Sequence, residues 1–478
     1  MTVLTAEQSR EMDRITIEEN GVPSLGLMEN AAHRVDEALA QNFEPLEKQK
    51  VAILCGKGNN GGDGLTLARI LCGRVAKLYV IMAGDPGELS PDAKVNYDRL
   101  REECRQLVPS REIPGKLRER REVTVVVDAI LGTGAKGEPH GRILDLIRAV
   151  REFPEAKVVS IDVPSGLNGG GECVHADITV TFTAPKVEHY LAPNAQEFVG
   201  RLIVSQIGIP PQIVSSQLEV SDPRDFTPLF APRKRDANKG DFGHVLVVGG
   251  APGKTGAAAM AGLAALRTGA GLVTVSCSDP SRLAPELMTE PFGEFTLERK
   301  TVLAIGPGLG MQRELLARLM KEATVPVVID ADGLNSIAGT DFRGRGLETV
   351  LTPHPGEMAR LLGRPVEDRV TDARSFAQER NVCLVLKGNR TLVALPSGQV
   401  FINMSGTPAM ATGGTGDILT GMVSGIIAQF PRRIDIAVRA AVWLHGRAGE
   451  LGAEELTEQC LIATDLLHYL PRAIREIA

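Results

Sequence analysis

Two glycine-rich stretches hold the polar residues of this chain that are best placed to do chemistry. GKGNNGGDG, from Gly56 to Gly64, sets Asn59, Asn60 and Asp63 among five glycines. A tight turn needs glycine where φ is positive, and five in nine residues exceed that need. At the start of a helix their amides form a site for phosphate oxygens, the helix dipole adding about 0.3–1 kcal/mol for an anion. The stretch matches G-x-G-x-x-G literally, a weak pattern by itself. Its asparagines and Asp63 supply polar groups that a plain pyrophosphate loop lacks, suited to a polar ligand or an ion beside the phosphate. ATGGTGDILTG, from Ala411 to Gly421, opens an apolar helix with Asp417 in its first turn. Amides there can hold developing phosphate charge, and Asp417 can act as general base on an attacking hydroxyl, worth about 10²–10⁴ in rate. A helix-capping Asp is the bland alternative, but it leaves the preceding GGTG unexplained.

Further carboxylates close hydrophobic runs: Asp128 in VVDAILGTG and Asp162 in SIDVPSG. One such Asp is ordinarily a cap; two on the ligand side of one sheet point to a site. Ser165 and Asn60 offer neutral oxygens to a monovalent cation, and Lys186 in TFTAPKVEHY offers a charged partner. In the second half, TPHPGE around His354 and Glu357, and KGNRT from Lys387 to Thr391, suit a nucleotide and substrate cleft. VVGGAPGKTG is not a Walker A loop: Gly249 and Gly253 enclose three residues instead of four, with Val248 where the first glycine belongs. Close packing of a small-residue helix accounts for most of its alanines.

The elements that position these loops alternate. VAILC, KLYVIMAG, VTVVVDAILGTG and AKVVSIDVPSG are β-rich runs separated by helical patterns, which implies parallel βαβ units with ligands at the carboxyl ends of the strands. A Pro-, Ser- and charge-rich stretch between residues 209 and 236 interrupts the alternation, so the junction is expected near residue 220, dividing 1–220 from 221–478. HVLVVGG, LVTVSC, VLAIGPGLG, VPVVIDADGLN, VCLVLKGNRTLVAL and QVFINMSG then restart it. The expected fold is α/β in two domains, with no fixed-period repeat.

The composition agrees: 478 residues, 43% hydrophobic, 23% charged, 51 glycines, and a formal charge of −6. Without a basic run or many aromatics, nucleic acid is an unexpected partner. Seven cysteines without CxxC or Cys/His zinc spacing fit reduced thiols in cytosol, and Cys55 is a strand residue without a base to activate it. The N-terminus has no apolar signal region; Thr5 and Gln8 have capping-box spacing. The charge-free run from Ile418 to Pro431 is too short to span a bilayer.

Together, GKGNNGGDG, VVDAILGTG and IDVPSG resemble the NAD(P)H-hydrate epimerase domain, here Rossmann-like and three-layered α/β/α. TPHPGE, KGNRT and NMSGTPAMATGGTGD resemble the ADP-dependent NAD(P)H-hydrate dehydratase domain of the ribokinase-like superfamily, and the order of the two sets matches the fused bifunctional bacterial repair family. The resemblance covers nearly the whole chain. It implies epimerisation of R and S hydrates of NADH and NADPH (NADHX and NADPHX) in the first domain. In the second it implies dehydration of the S hydrate with ADP and Mg²⁺, releasing AMP and phosphate. Carried over by position, Asn59, Asn60, Gly61, Gly62, Asp63, Gly132, Thr133, Gly134, Ala135, Lys136, Gly137 and Glu138 line the first hydrate. Asn60, Asp128 and Ser165 hold K⁺, and Asp162 contacts the nicotinamide and does acid/base work. Ala257, Gly308 and His354 contact the second hydrate; Lys387, Gly388, Asn389, Arg390, Thr391 and Gly416 hold AMP; Asp417 activates the substrate hydroxyl. Asn389 departs from the small residue expected in that loop.

The rival reading is a vitamin or sugar kinase with an accessory N-terminal domain, since fold alone does not fix function. A cytoplasmic protein without a membrane segment is expected, and its small-residue helices suit a homo-oligomer.

Overall fold

The computed structural model describes residues 1–112, 122–135 and 137–477. The chain forms two compact units, Thr2–Ser216 and Gln217–Ala478, the latter including Met1.

In the first unit, six apolar runs form an all-parallel sheet of order β2-β1-β3-β4-β5-β6. The strands are β1 (Lys50–Cys55), β2 (Lys77–Met82), β3 (Val125–Ala129), β4 (Lys157–Ile161), β5 (Ile178–Phe182) and β6 (Arg201–Ser205). Alternate residues point to opposite faces. Val51, Ile53, Val125 and Val127 pack against helices Ser24–Asn42, Asn59–Leu71 and Pro91–Glu103. Ala52, Leu54 and Val126 pack against helix Gly141–Ala149. The result is the three-layer arrangement, with the order reversing between β1 and β3, where doubly wound sheets bind ligands. The N-terminal helix Ala6–Arg14 begins with the capping box from Thr5 and Gln8.

The second unit is built on a ten-stranded sheet of order β10-β9-β8-β11-β12-β13-β14-β15-β16-β7. It contains β7 (Leu218–Val220), β8 (His244–Val248), β9 (Leu272–Cys277), β10 (Met288–Pro291), β11 (Val302–Ile305) and β12 (Val327–Ile329). After these come β13 (Gly346–Leu351), β14 (Val382–Leu386), β15 (Leu392–Ala394) and β16 (Val400–Ile402). Only the β14–β15 and β15–β16 pairings are antiparallel. KGNRT is therefore a hairpin turn, where a strand-to-helix loop would have continued the alternation. The short β7 pairs with β16, so residues 218–220, grouped with the first domain in the sequence reading, add a strand to the second sheet.

The apolar run from Ile418 lies in helix Thr415–Gln429, buried along nearly its whole length. A helix apolar all round belongs inside a protein, and among the described residues no helix is long and apolar enough to cross a membrane. Its neighbour is the small-residue helix Thr255–Arg267: a Cβ on Gly421 would sit 2.1 Å from the Ala261 carbonyl oxygen, and one on Gly425 2.5 Å from that of Ala265. The small residues are thus used for helix-to-helix contact inside the unit, and this stripe lends no support to an assembly of copies.

Gly421→Leu is expected to destabilise the C-terminal unit by at least about 1–3 kcal/mol, because the obstacle is backbone that cannot rotate away. Chemical denaturation would check this; an unchanged midpoint would mean the two helices separate at little cost.

Candidate active sites

In the N-terminal unit, four of the five glycines in GKGNNGGDG answer to the protein's own packing. A Cβ on Gly56 would lie 1.8 Å from the Ile130 carbonyl oxygen, and one on Gly61 2.1 Å from that of Gly56. Gly62 is closed by Met28 and Gly64 by Ala129, while Gly58 faces open space. The loop still presents a helix start: Gly58 is the N-cap of helix Asn59–Leu71 and no side chain caps it. The first-turn amides of Asn59, Asn60 and Gly61 therefore lack helical partners.

Asn60, Asp128 and Ser165 come together around the backbone of Leu131. Asn60 Nδ2 donates to the Leu131 carbonyl at 2.9 Å, and Leu131 N donates to Ser165 Oγ at 2.8 Å. The β3–β4 register sets Ser160 beside Asp128. Fully buried, Asp128 accepts from Ser160 Oγ (2.8 Å), Ser165 N (2.8 Å), Ser165 Oγ (2.5 Å) and Ile130 N (3.2 Å). Burial raises its pKa against the opposing pull of these donors. Among the described residues no group of three His, Cys, Asp or Glu could hold a metal; what this cluster offers is one carboxylate among neutral oxygens.

Asp162 follows β4 at φ 65, a backbone region costly for a residue with a side chain. Its neighbours fix it there. Lys186 Nζ, almost fully buried, donates to Asp162 Oδ1 at 2.6 Å and Thr181 Oγ1 donates to the same oxygen at 3.0 Å. His189 Nδ1 accepts from Lys186 N at 3.0 Å, which leaves the proton on Nε2 to donate to the Asp162 carbonyl at 2.9 Å. Burial would raise the Asp162 carboxyl, but Lys186 outweighs it and holds the pKa below the usual value. Two other half-buried carboxyls share this field. Asp13 is pushed up to about 6 by burial, with Lys186 opposing and Asp162 reinforcing, and Asp63 is pushed well up by burial, Asp162 and Asp13. Asp13 was missed in the sequence because it lies on the N-terminal helix, far from any glycine loop; the bridge of Leu4 to Lys186 and the packing of Met12 bring that segment to the site. Gly132, Ala135 and Gly137 line a shallow cleft with Val163, Pro164 and Gly166. Thr133, Gly134 and Glu138 belong to the same loop, and Lys136 lies outside the described residues.

In the C-terminal unit the strand ends converge on two lysines. Lys387, after β14, donates to Asp330 Oδ1 at 2.8 Å and lies 3.8 Å from Glu357 Oε2. Thr420 Oγ1 donates to Asp330 Oδ2 at 2.7 Å. Lys254 reaches Asp332 Oδ2 at 3.1 Å, an oxygen that also accepts from Gly310 N at 2.8 Å. The lysine of VVGGAPGKTG is therefore spent on an aspartate. Asp330 and Asp332, in IDADGLN, were not singled out from the sequence, although they close a hydrophobic strand as Asp128 and Asp162 do.

Asp417 lies in the first turn of its helix, next to Gly416, whose Cβ position is 3.4 Å from Lys387 Nζ. Burial and the charge of Asp330 push Asp417 up to about 7, against the pull of Lys387. Half-buried His445 donates from Nε2 to the Thr415 carbonyl at 2.9 Å and stays neutral, its pKa lowered to about 4 by desolvation. Ala257 and Gly308 meet: a Cβ on Gly308, at φ 60, would lie 3.2 Å from that of Ala257. His354 caps helix Pro355–Leu362, its Nδ1 accepting from Gly356 N at 3.0 Å, while Glu357 Oε2 accepts from His354 N at 2.8 Å. In the hairpin turn, Gly388 has φ 139 and Arg390 φ 55, and Thr391 Oγ1 donates to the Gly388 carbonyl at 3.0 Å. Asn389 contributes its backbone carbonyl, which accepts from Arg369 Nη1 at 2.6 Å.

Comparison with known proteins matches residues 24–188 to the family described as YjeF-related protein N-terminus and residues 245–472 to the NAD(P)H-hydrate dehydratase family. The bifunctional NAD(P)H-hydrate repair enzyme of Moorella thermoacetica is 38% identical over 100% of this chain and 97% of its own length. Its counterpart from Coxiella burnetii is 37% identical over 98% of this chain and 99% of its own. Among solved structures, an ADP/ATP-dependent NAD(P)H-hydrate dehydratase from Bacillus subtilis, crystallised with ATP and Mg²⁺, is 31% identical with a TM-score of 0.51, covering 55% of this chain and all of that one. A ribokinase-like superfamily protein from Enterococcus faecalis is 29% identical with the same TM-score.

Lys186→Met is expected to cost the N-terminal unit about 3–5 kcal/mol at neutral pH by stranding a buried carboxylate. Without the ammonium, burial alone raises the Asp162 pKa, so the deficit relative to wild type should shrink as pH falls and the carboxyl takes up a proton. Urea denaturation at several pH values would check both; a deficit independent of pH would mean that the charge pair is not its source.

Proposed function

Because the chain belongs to the bifunctional NAD(P)H-hydrate repair enzyme family, we propose that it restores NADH and NADPH hydrated at the nicotinamide, one activity in each unit. The observation that carries this reading is the presence, in this one chain, of the Asp162–Lys186 and Asp330–Lys387 centres at the loops where the family's motifs fall. The kinase alternative is set aside, since relatives matched over nearly their whole length carry the two repair domains together.

In the N-terminal unit, the amides of Asn59, Asn60 and Gly61 receive the phosphates of the hydrated dinucleotide, and the loop from Gly132 to Glu138 borders it. Asp162, held ionised by Lys186, acts as proton acceptor at the nicotinamide end. The carboxyls of Asp63 and Asp13, held up by burial, supply protons beside it, so acceptor and donor share one centre. The neutral oxygens of Asn60, Leu131 and Ser165 would hold K⁺, a weakly hydrated cation, with the Asp128 carboxylate, engaged by four donors, adding its charge behind them.

In the C-terminal unit, hydroxide is a poor leaving group, so the C6 hydroxyl first receives a phosphoryl group from ADP. Asp417, with a pKa near 7, takes the hydroxyl proton as the oxygen attacks the terminal phosphorus and AMP departs. Loss of phosphate from C6 and of a proton from C5 to solvent then forms the C5–C6 double bond and regenerates the dihydropyridine. Lys387 and the first-turn amides at Gly416 hold the transferred charge, and the loop from Lys387 to Thr391 holds the nucleotide. Ala257 and Gly308 leave room for the hydrate, and Nε2 of His354, 3.5 Å from Glu357 Oε1, is its polar contact. Asp330 and Asp332 are already engaged by Lys387, Thr420 and Lys254, so Mg²⁺ would be carried on the phosphates of the nucleotide, where it neutralises charge. The cysteines are free thiols, which suits a cytoplasmic setting.

The pure protein, given mixed R and S hydrates with ADP and Mg²⁺, is expected to restore the full dihydronicotinamide absorbance. Recovery that stops at the S fraction would remove the epimerase assignment, and absence of recovery would remove both. Asp417→Asn should lower dehydration about 10²–10⁴-fold while ADP binding persists. Wild-type dehydration should rise with pH through about 7 as Asp417 loses its proton; a flat profile in that range would argue against this base. Asp162→Asn should abolish epimerisation and spare dehydration.

A further inference from the structure

One cation of the C-terminal unit has no place in this chemistry. Arg369 is the first residue of helix Arg369–Arg380, and its guanidinium spans the turn between β14 and β15. Nη1 donates to the Asn389 carbonyl at 2.6 Å and Nη2 to the Arg390 carbonyl at 3.1 Å. A Cβ on Gly388 would come within 3.4 Å of Nη2, so the guanidinium lies directly against the turn. Its Nε is buried and has no acceptor. Burial lowers its pKa, and among the described residues no acidic side chain acts on it, yet an arginine in protein stays charged.

As a purely structural device this is poor. Two carbonyls can be bridged equally well by neutral amide donors, whereas this half-exposed guanidinium brings a charge to the turn with its Nε enclosed. A polyanion at the turn would supply the missing charge. The clamp also has a geometric effect. Peptides are planar and trans, so drawing the Asn389 and Arg390 carbonyls onto Arg369 directs the N–H groups of Arg390 and Thr391 to the opposite side of the turn.

We infer that Arg369 is a positioning residue that sets the affinity of the C-terminal site for its nucleoside diphosphate: it holds the turn with two amides presented, and adds a positive charge that no side chain neutralises. The inference rests on reading Lys387–Thr391 as the nucleotide loop.

Calorimetric titration of the full chain with ADP tests it, together with KM and kcat for dehydration. Arg369→Gln, which keeps a donor but loses the charge and the fork, should weaken ADP binding about tenfold. It should raise KM for ADP by a similar factor with kcat within about twofold, because the group acts on binding and not on the reacting atoms. Arg369→Lys, which keeps the charge without the fork, should fall between the two; an intact unfolding transition of the C-terminal unit in either variant ensures that the comparison is made on folded protein. Wild-type ADP affinity in both variants would overturn the inference while leaving the nucleotide site in place. A wild-type chain that binds no ADP would instead overturn the reading of the loop, and the inference with it.

Discussion

A carboxylate at the carboxyl end of a buried parallel strand has lost its water, and it survives as an ion only where a cation or a full set of donors replaces that water. Both units are organised by this constraint. Lys186 answers Asp162 and Lys387 answers Asp330, each at hydrogen-bond distance. Asp128 is answered by hydroxyls and amides instead, with four donors on its two oxygens. These partners come from different strand ends, so the parallel sheet with its fixed register is what brings them together.

The carboxyls that are left less completely answered are those suited to move protons. Asp417 stands beside an ion pair that is already closed on itself, and the net effect of burial and of the second negative charge is a pKa near 7. Asp13 and Asp63 stand in the same relation to the Asp162–Lys186 pair. In each unit, then, a neutralised pair fixes the local field and a neighbouring carboxyl is tuned by it.

Glycine serves the geometry more than the ligand. Gly56 and Gly61 allow one backbone to lie on another, and Gly421 and Gly425 allow two helices to touch through their backbones. The loops are consequently held in place by packing before any ligand arrives, which favours a preorganised site. Most of the glycines in GKGNNGGDG are enclosed by protein, and the start of the following helix is left without a side-chain cap.

The order of strands and helices, the loops that follow the strands and the family were legible in the sequence, because buried strands are continuous apolar runs and helix starts are marked by glycine and small polar residues. Asp162 and Asp417 could be singled out for the same local reason. The chain order could not show that KGNRT closes a hairpin or that residues 218–220 pair with β16, since both depend on which edge of the sheet is left open. Nor could it assign Lys186 firmly to Asp162, or bring Asp13, Asp330 and Arg369 to their sites. Those pairings join residues up to 173 positions apart along the chain, as from Asp13 to Lys186. Their charges are set by burial, and burial exists only once the sheet and its covering helices have closed over them.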